Sequence, residues 1–237
     1  MSFNIFLIMC TLNIIVSLFG YFVGTLINSK NKVIVASMYQ ISGGMMSGIV
    51  CFELLPDSIK ITNIYISILG IIIGIVFTLL LNYILDKKQI NNKNISSIIL
   101  VILVMTIHNI VEGISIGSGY VYMISLGMSL FISNLLHDIP ESIILGINLN
   151  NKKIKKVNKV IYSILLGLPT SIGILLGNCI GTVSNLYLSL SLSISSGCML
   201  YIIACDLIPT SSEISKRKIV NLFYIIGLII GLFIISI

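Results

Sequence analysis

Charge is what this chain has least of. Only 9% of its 237 residues are charged, whereas 57% are hydrophobic and the mean hydropathy is +1.11. A soluble domain carries about a quarter of its residues as charge, so this scarcity excludes one and points to a protein built in a bilayer. Cys-x-x-Cys pairs are missing too: Cys10, Cys51, Cys179, Cys198 and Cys205 stand singly inside apolar runs. That excludes a zinc ribbon and a disulfide framework, leaving the five as small packing residues. No charged side chain precedes Lys30. A cleaved signal peptide begins with a basic segment, so the opening stretch reads as a first spanning helix.

Long apolar runs are what the chain has in plenty. A span needs roughly 20 such residues. Eight runs qualify: 4–27, 33–56, 63–85, 95–118, 121–148, 159–181, 186–209 and 219–237. The connections are short. The expected fold is therefore an all-α integral membrane protein, with residues 1–237 forming a single transmembrane domain of eight transmembrane helices.

Basic residues set the orientation. Lys30 and Lys32 lie between spans 1 and 2, and Lys87, Lys88 and Lys93 between 3 and 4. Lys152, Lys153, Lys155, Lys156 and Lys159 lie between 5 and 6, and Lys216, Arg217 and Lys218 between 7 and 8. Lys60 alone falls in the other set of loops. The positive-inside rule places the four basic loops in the cytoplasm and both termini outside. The sequence pI of about 9.1 then reflects a membrane surface, with no nucleic-acid partner. The stretch "NKKIKKVNK" reads as a solvated loop at the lipid surface.

Two segments repeat. In "ISGGMMSGIVCFELLPDS" (41–58) and "ISSGCMLYIIACDLIPTS" (194–211), Gly44 matches Gly197, Met46 Met199, Leu54 Leu207, Pro56 Pro209 and Ser58 Ser211 without a gap. Glu53 falls opposite Asp206. Helix 2 is expected to run outward and helix 7 inward. The pattern is an inverted repeat, helices 1–3 against 6–8 with helices 4 and 5 central. Such repeats belong to secondary transporters, whose site lies near the midplane. Chance similarity of apolar helices is the alternative, and the shared Gly, Pro and acidic positions weigh against it. Glu53 near the outer end of helix 2 and Asp206 near the inner end of helix 7 would put a carboxylate at each mouth of a path.

The only two histidines each precede a glutamate by four residues, in "HNIVEG" (108–113) and "HDIPES" (137–142). Four residues on an α-helix turn about 40° past one full rotation and rise about 6 Å. His108 and Glu112 thus share a face of helix 4, and His137 and Glu141 a face of helix 5. Two imidazoles and two carboxylates from facing helices make a four-ligand cage suited to Zn²⁺, with Fe²⁺, Mn²⁺, Co²⁺ and Cd²⁺ as competitors. Asn109 and Asp138 stand one step round, where they can add oxygen ligands or a neighbouring site. A charged residue at the bilayer centre costs at least about 2.5 kcal/mol, so Glu112, Asp138 and Glu141 must face one another, a cation or water. The alternatives are structural histidines and a proton relay without metal. Pro140 lacks the N–H that would bond the Leu136 carbonyl and is expected to bend helix 5.

These segments resemble the ZIP (Zrt/Irt-like) family of divalent metal transporters, whose fourth and fifth helices carry motifs similar to "HNIVEGISIG" and "HDIPESIILG". "FELLPD" and "MLYIIACDLIP" are similar to the family's helices 2 and 7, and the short bacterial branch fits best. The resemblance implies uptake of Zn²⁺ toward the cytoplasm across the cell membrane by an elevator-like movement. It implies metal ligands at His108, Asn109, Glu112, His137, Asp138 and Glu141. Val111 stands where the family has proline and Ser142 where it has glycine. Thr170 replaces a glutamate that bridges a second metal in some members, which favours one site. Met45 or Met46 can add a soft ligand.

The expected partners are divalent metal ions and the bilayer, with room for a homodimer. The path runs inward past Glu53 and Asp57 and leaves past Asp206 beside Cys205. Two rival readings make different demands. A cation-diffusion-facilitator exporter needs six helices and a cytoplasmic domain. An intramembrane zinc hydrolase needs an open metal position for water and a general base.

Overall fold

The computed structural model describes residues 1, 3–89, 96–150, 156–180 and 184–235. Among them there is no strand. The helices are α1 (Phe3–Leu26), α2 (Lys32–Ile61), α3 (Ile64–Gln89), α4 (Ser96–Tyr122), α5 (Ile124–Asn150), α6 (Lys156–Ile180), α7 (Asn185–Ile214) and α8 (Lys218–Ile235). Seven helices among the described residues, all but α4, are long and apolar enough to cross a membrane. In lipid the backbone must satisfy its own hydrogen bonds, and a helix does so within one segment. Lys93, Lys152, Lys153 and Lys155, used above to orient the chain, lie outside the described residues.

Polarity decides which helices are central. In α1, α3 and α8 only 22% of the apolar window is buried, against 72% in α2 and α5 and 67% in α7. The helices richest in Ile, Leu and Phe therefore form the rim, where hydrocarbon suits them. The helices carrying Ser, Asn, His and acids are shielded at the centre.

Helices α2 and α7 are longer than the sequence suggested, and they are built alike. Asn31 caps α2 by accepting from the Ile34 amide at 3.3 Å, and Ser184 caps α7 by accepting from the Tyr187 amide at 3.3 Å. Each contains one widened π turn, Val50–Leu54 and Ile203–Leu207. Pro56 and Pro209 stand two residues past the last residue of each turn. Neither can donate to the carbonyl four residues back, and a widened turn absorbs that defect. Helix α5 runs from Ile124 to Asn150 with Pro140 inside it.

Close approaches lock the bundle. A methyl group on Gly44 would run into the Tyr224 carbonyl of α8, and one on Gly197 into the Ile71 carbonyl of α3. Gly24 lies likewise against Ile143 of α5, and Gly177 against Ile114 of α4. Without side chains between them, these backbones pack in direct van der Waals contact. Two serines add cross-links: Ser58 donates to the Ser189 carbonyl at 2.9 Å, and Ser211 to the Ala36 carbonyl at 2.9 Å.

Candidate metal centre

The site forms where α4 and α5 face each other, shielded by α2, α6 and α7. His108 and Glu112 share a face of α4 because they stand one turn apart, and His137 and Glu141 repeat the arrangement on α5. The four side chains do meet. Glu112 reaches both imidazoles: its Oε1 lies 3.3 Å from His108 Nε2 and its Oε2 3.5 Å from His137 Nε2. Glu141 Oε1 crosses back to His108 Nε2 at 3.8 Å, and Asp138 Oδ1 lies 3.6 Å from His137 Nε2. All five residues are buried, with relative exposures of 2% to 5%.

Two overlapping triads have the compactness a metal ion requires: His108, Glu112 and His137, and His137, Asp138 and Glu141. Within each, one ligand atom per residue lies within 4.8 Å of the others. Three carboxyl groups crowd a low-dielectric interior, and among the described residues no Lys or Arg is ion-paired with them. Leaving such groups uncompensated is costly.

The surroundings aim these groups. His137 Nδ1 lies 3.2 Å from the Ser133 carbonyl, which turns Nε2 toward the cluster. The Asn109 amide nitrogen donates to the Leu166 carbonyl of α6 at 2.8 Å, leaving Oδ1 buried and unpartnered. Asn134 donates to Asp138 Oδ2 at 2.9 Å. Both nitrogens of His108, His137 Nε2, both Glu112 oxygens, Asp138 Oδ1 and Glu141 Oε2 make no hydrogen bond. Buried polar atoms are nearly always satisfied, so this concentration of orphans marks a place where something binds.

The remaining sequence candidates are placed as follows. Met46 is fully buried, with Ser42 Oγ 4.0 Å from its sulfur. Thr170 is fully buried and its hydroxyl is unpartnered. Glu53 does not stand at an open mouth. It is 4% exposed, accepting from Ser129 at 2.6 Å and Ser133 at 2.7 Å, both on α5. Its π turn rotates it inward against that helix. Asp57 is surface-facing, 3.1 Å from Lys60. Asp206 is half-buried and Cys205 exposed.

Sequence reasoning missed Ser129, Ser133 and Asn134. Asn134 had a signal: it precedes Asp138 by one turn in an apolar helix. The serines had none, because serine is common in membrane helices.

A bundle of apolar helices enclosing a histidine–carboxylate cluster defines a membrane protein with a metal-binding type of interior. The chain belongs to the family described as ZIP Zinc transporter, whose model matches residues 83–237. It is also 22% identical over 193 residues to the Arabidopsis thaliana protein named "Putative zinc transporter At3g08650". That match covers 76% of this chain but 31% of the relative, so the chain spans about a third of the length of that protein.

Proposed function

We propose that this protein carries Zn²⁺, or a related divalent ion, across the cell membrane through the cluster on α4 and α5. His108, Asn109, Glu112, His137, Asp138 and Glu141 are the ligands. The observation that carries the reading is the pair of triads sharing His137, buried at membrane depth with their ligand atoms unsatisfied. A divalent cation neutralises the carboxylates and fills the vacant lone pairs at once. Membership of the ZIP Zinc transporter family favours transport over the intramembrane hydrolase.

The proposed architecture is eight spans with both termini outside, arranged as an inverted repeat. Equivalent contacts recur at constant offsets. Gly44 on Tyr224 corresponds to Gly197 on Ile71, each residue shifted by 153 positions (44 to 197, 71 to 224). The caps Asn31 and Ser184, the two π turns and the Ser58 and Ser211 bonds keep the same offset (31 to 184, 58 to 211). Gly24 on Ile143 corresponds to Gly177 on Ile114, where the α4–α5 offset is 29 (114 to 143). His108 and His137 obey that second offset (108 to 137). Paired contacts of this kind are what a two-fold relation between the halves produces. That supports alternating access around a central site, with uptake toward the basic, cytoplasmic side.

The test is ⁶⁵Zn uptake and equilibrium zinc binding with His137→Ala and Glu112→Ala. Both variants should fall below about a tenth of the parent uptake at equal surface expression, since His137 belongs to both triads and Glu112 contacts both imidazoles. Parent-like uptake by both would remove the cluster from the path.

A further inference from the structure

We propose that the cluster holds its ion with one water still attached, and that Asn134 and Ser195 hold that water. The inference rests on the metal reading of the cluster given above. A cavity of about 20 Å³ adjoins the cluster, and every residue lining it is buried. Roughly 10–15 Å³ suffices for one water, so the space takes a single molecule.

Glu112 and His137 form one part of the cavity wall. Asn134 of α5 and Ser195 of α7 contribute to the rest, with Ile116 and Leu130 beside them. Asn134 Oδ1 and Ser195 Oγ are both buried without a partner. The amide nitrogen of Asn134 is already committed to Asp138. The unpartnered atom of that residue, Oδ1, is an acceptor. Ser115, on the same wall, is different: its hydroxyl donates to the Ser191 carbonyl at 3.0 Å.

The chemistry of the two orphans selects the occupant. A water bound to a metal ion has given its lone pair to the metal. It offers two O–H groups and needs two acceptors. The cavity supplies an amide oxygen and a hydroxyl oxygen for them. Glu112 and His137 line the same cavity, and Glu112 Oε1, Glu112 Oε2 and His137 Nε2 also make no hydrogen bond. A metal-bound water joins both sets, and an empty cavity satisfies neither. Keeping one water also lowers the dehydration the ion must undergo on binding and leaves a ligand that exchanges readily on release.

Purified protein loaded with Mn²⁺ and studied by pulsed EPR in ¹⁷O-enriched water counts the waters on the ion directly. The parent should show one. Ser195→Ala should weaken Mn²⁺ and Zn²⁺ binding about five-fold, the value of one neutral hydrogen bond, while Ser195→Thr keeps affinity within about two-fold of the parent. Asn134→Leu should abolish the water signal. A hydroxyl with no role beyond packing behaves oppositely, because deleting a buried orphan is neutral or stabilising and leaves affinity unchanged. No water on the parent's ion, more than one, or unchanged affinity in Ser195→Ala overturns the inference. If a variant fails to fold, the parent's water count still decides. Failure of the metal reading looks different: Mn²⁺ would not bind, or would bind equally well after His137→Ala.

Discussion

The π turns of α2 and α7 are alike in backbone and unlike in company. In α2 the turn delivers Glu53 into the bundle, where Ser129 and Ser133 of α5 clamp both carboxylate oxygens. In α7 the matching turn delivers Asp206, which stays half-buried beside the exposed Cys205. A shared backbone solution thus carries two chemistries. At one end the carboxylate ties α2 to the helix that bears His137. At the other, nearer the basic loops, the acid is left more open to water. Ser133 sharpens the contrast, since its carbonyl also meets His137 Nδ1. The clamp and the cluster are mechanically joined.

The strongest way to break this comparison is to remove the acids one at a time. Glu53→Ala strips two serines of their partner and removes two of the polar ties between α2 and α5, so metal uptake should drop at least about ten-fold; one charge-assisted hydrogen bond alone is worth about 1.5–3 kcal/mol. Asp206→Ala should cost uptake only about two- to three-fold. Equal losses in a flux assay normalised to surface protein would erase the proposed asymmetry.

Glycine substitutions probe what the two ends share. Gly44→Ala and Gly197→Ala push a methyl group into equivalent carbonyls, and each should destabilise by about 1–3 kcal/mol through overpacking. Matching losses in chemical denaturation sharpen the repeat; a large loss at one site only argues against it.

Smaller effects follow at the clamp itself. Ser129→Ala and Ser133→Ala each delete one bond to Glu53, and each should lower the melting midpoint by about 2–4 °C per kcal/mol lost. The Ser133 variant keeps its backbone contact to His137, so it should leave zinc affinity unchanged. The smallest effect belongs to the surface pair: Lys60→Ala beside Asp57 should shift stability by less than about 1 kcal/mol.

The sequence by itself determined the membrane class, because 9% charge cannot clothe a soluble surface. It also determined which residues would stand on a common face, because His and Glu four apart have no other choice on a helix. The match of 41–58 with 194–211 was visible in the letters as well, through identical Gly and Pro positions and a Glu opposite an Asp. It was the tertiary structure that decided whether the two faces meet, since nothing in a helical register says which neighbour it will find. The fate of Glu53 was settled there as well. Its burial depends on a widened turn at Val50–Leu54 and on two serines 76 and 80 residues away in the chain. A sequence read one segment at a time shows the acid and the hydroxyls, but only packing brings them within a hydrogen bond of each other.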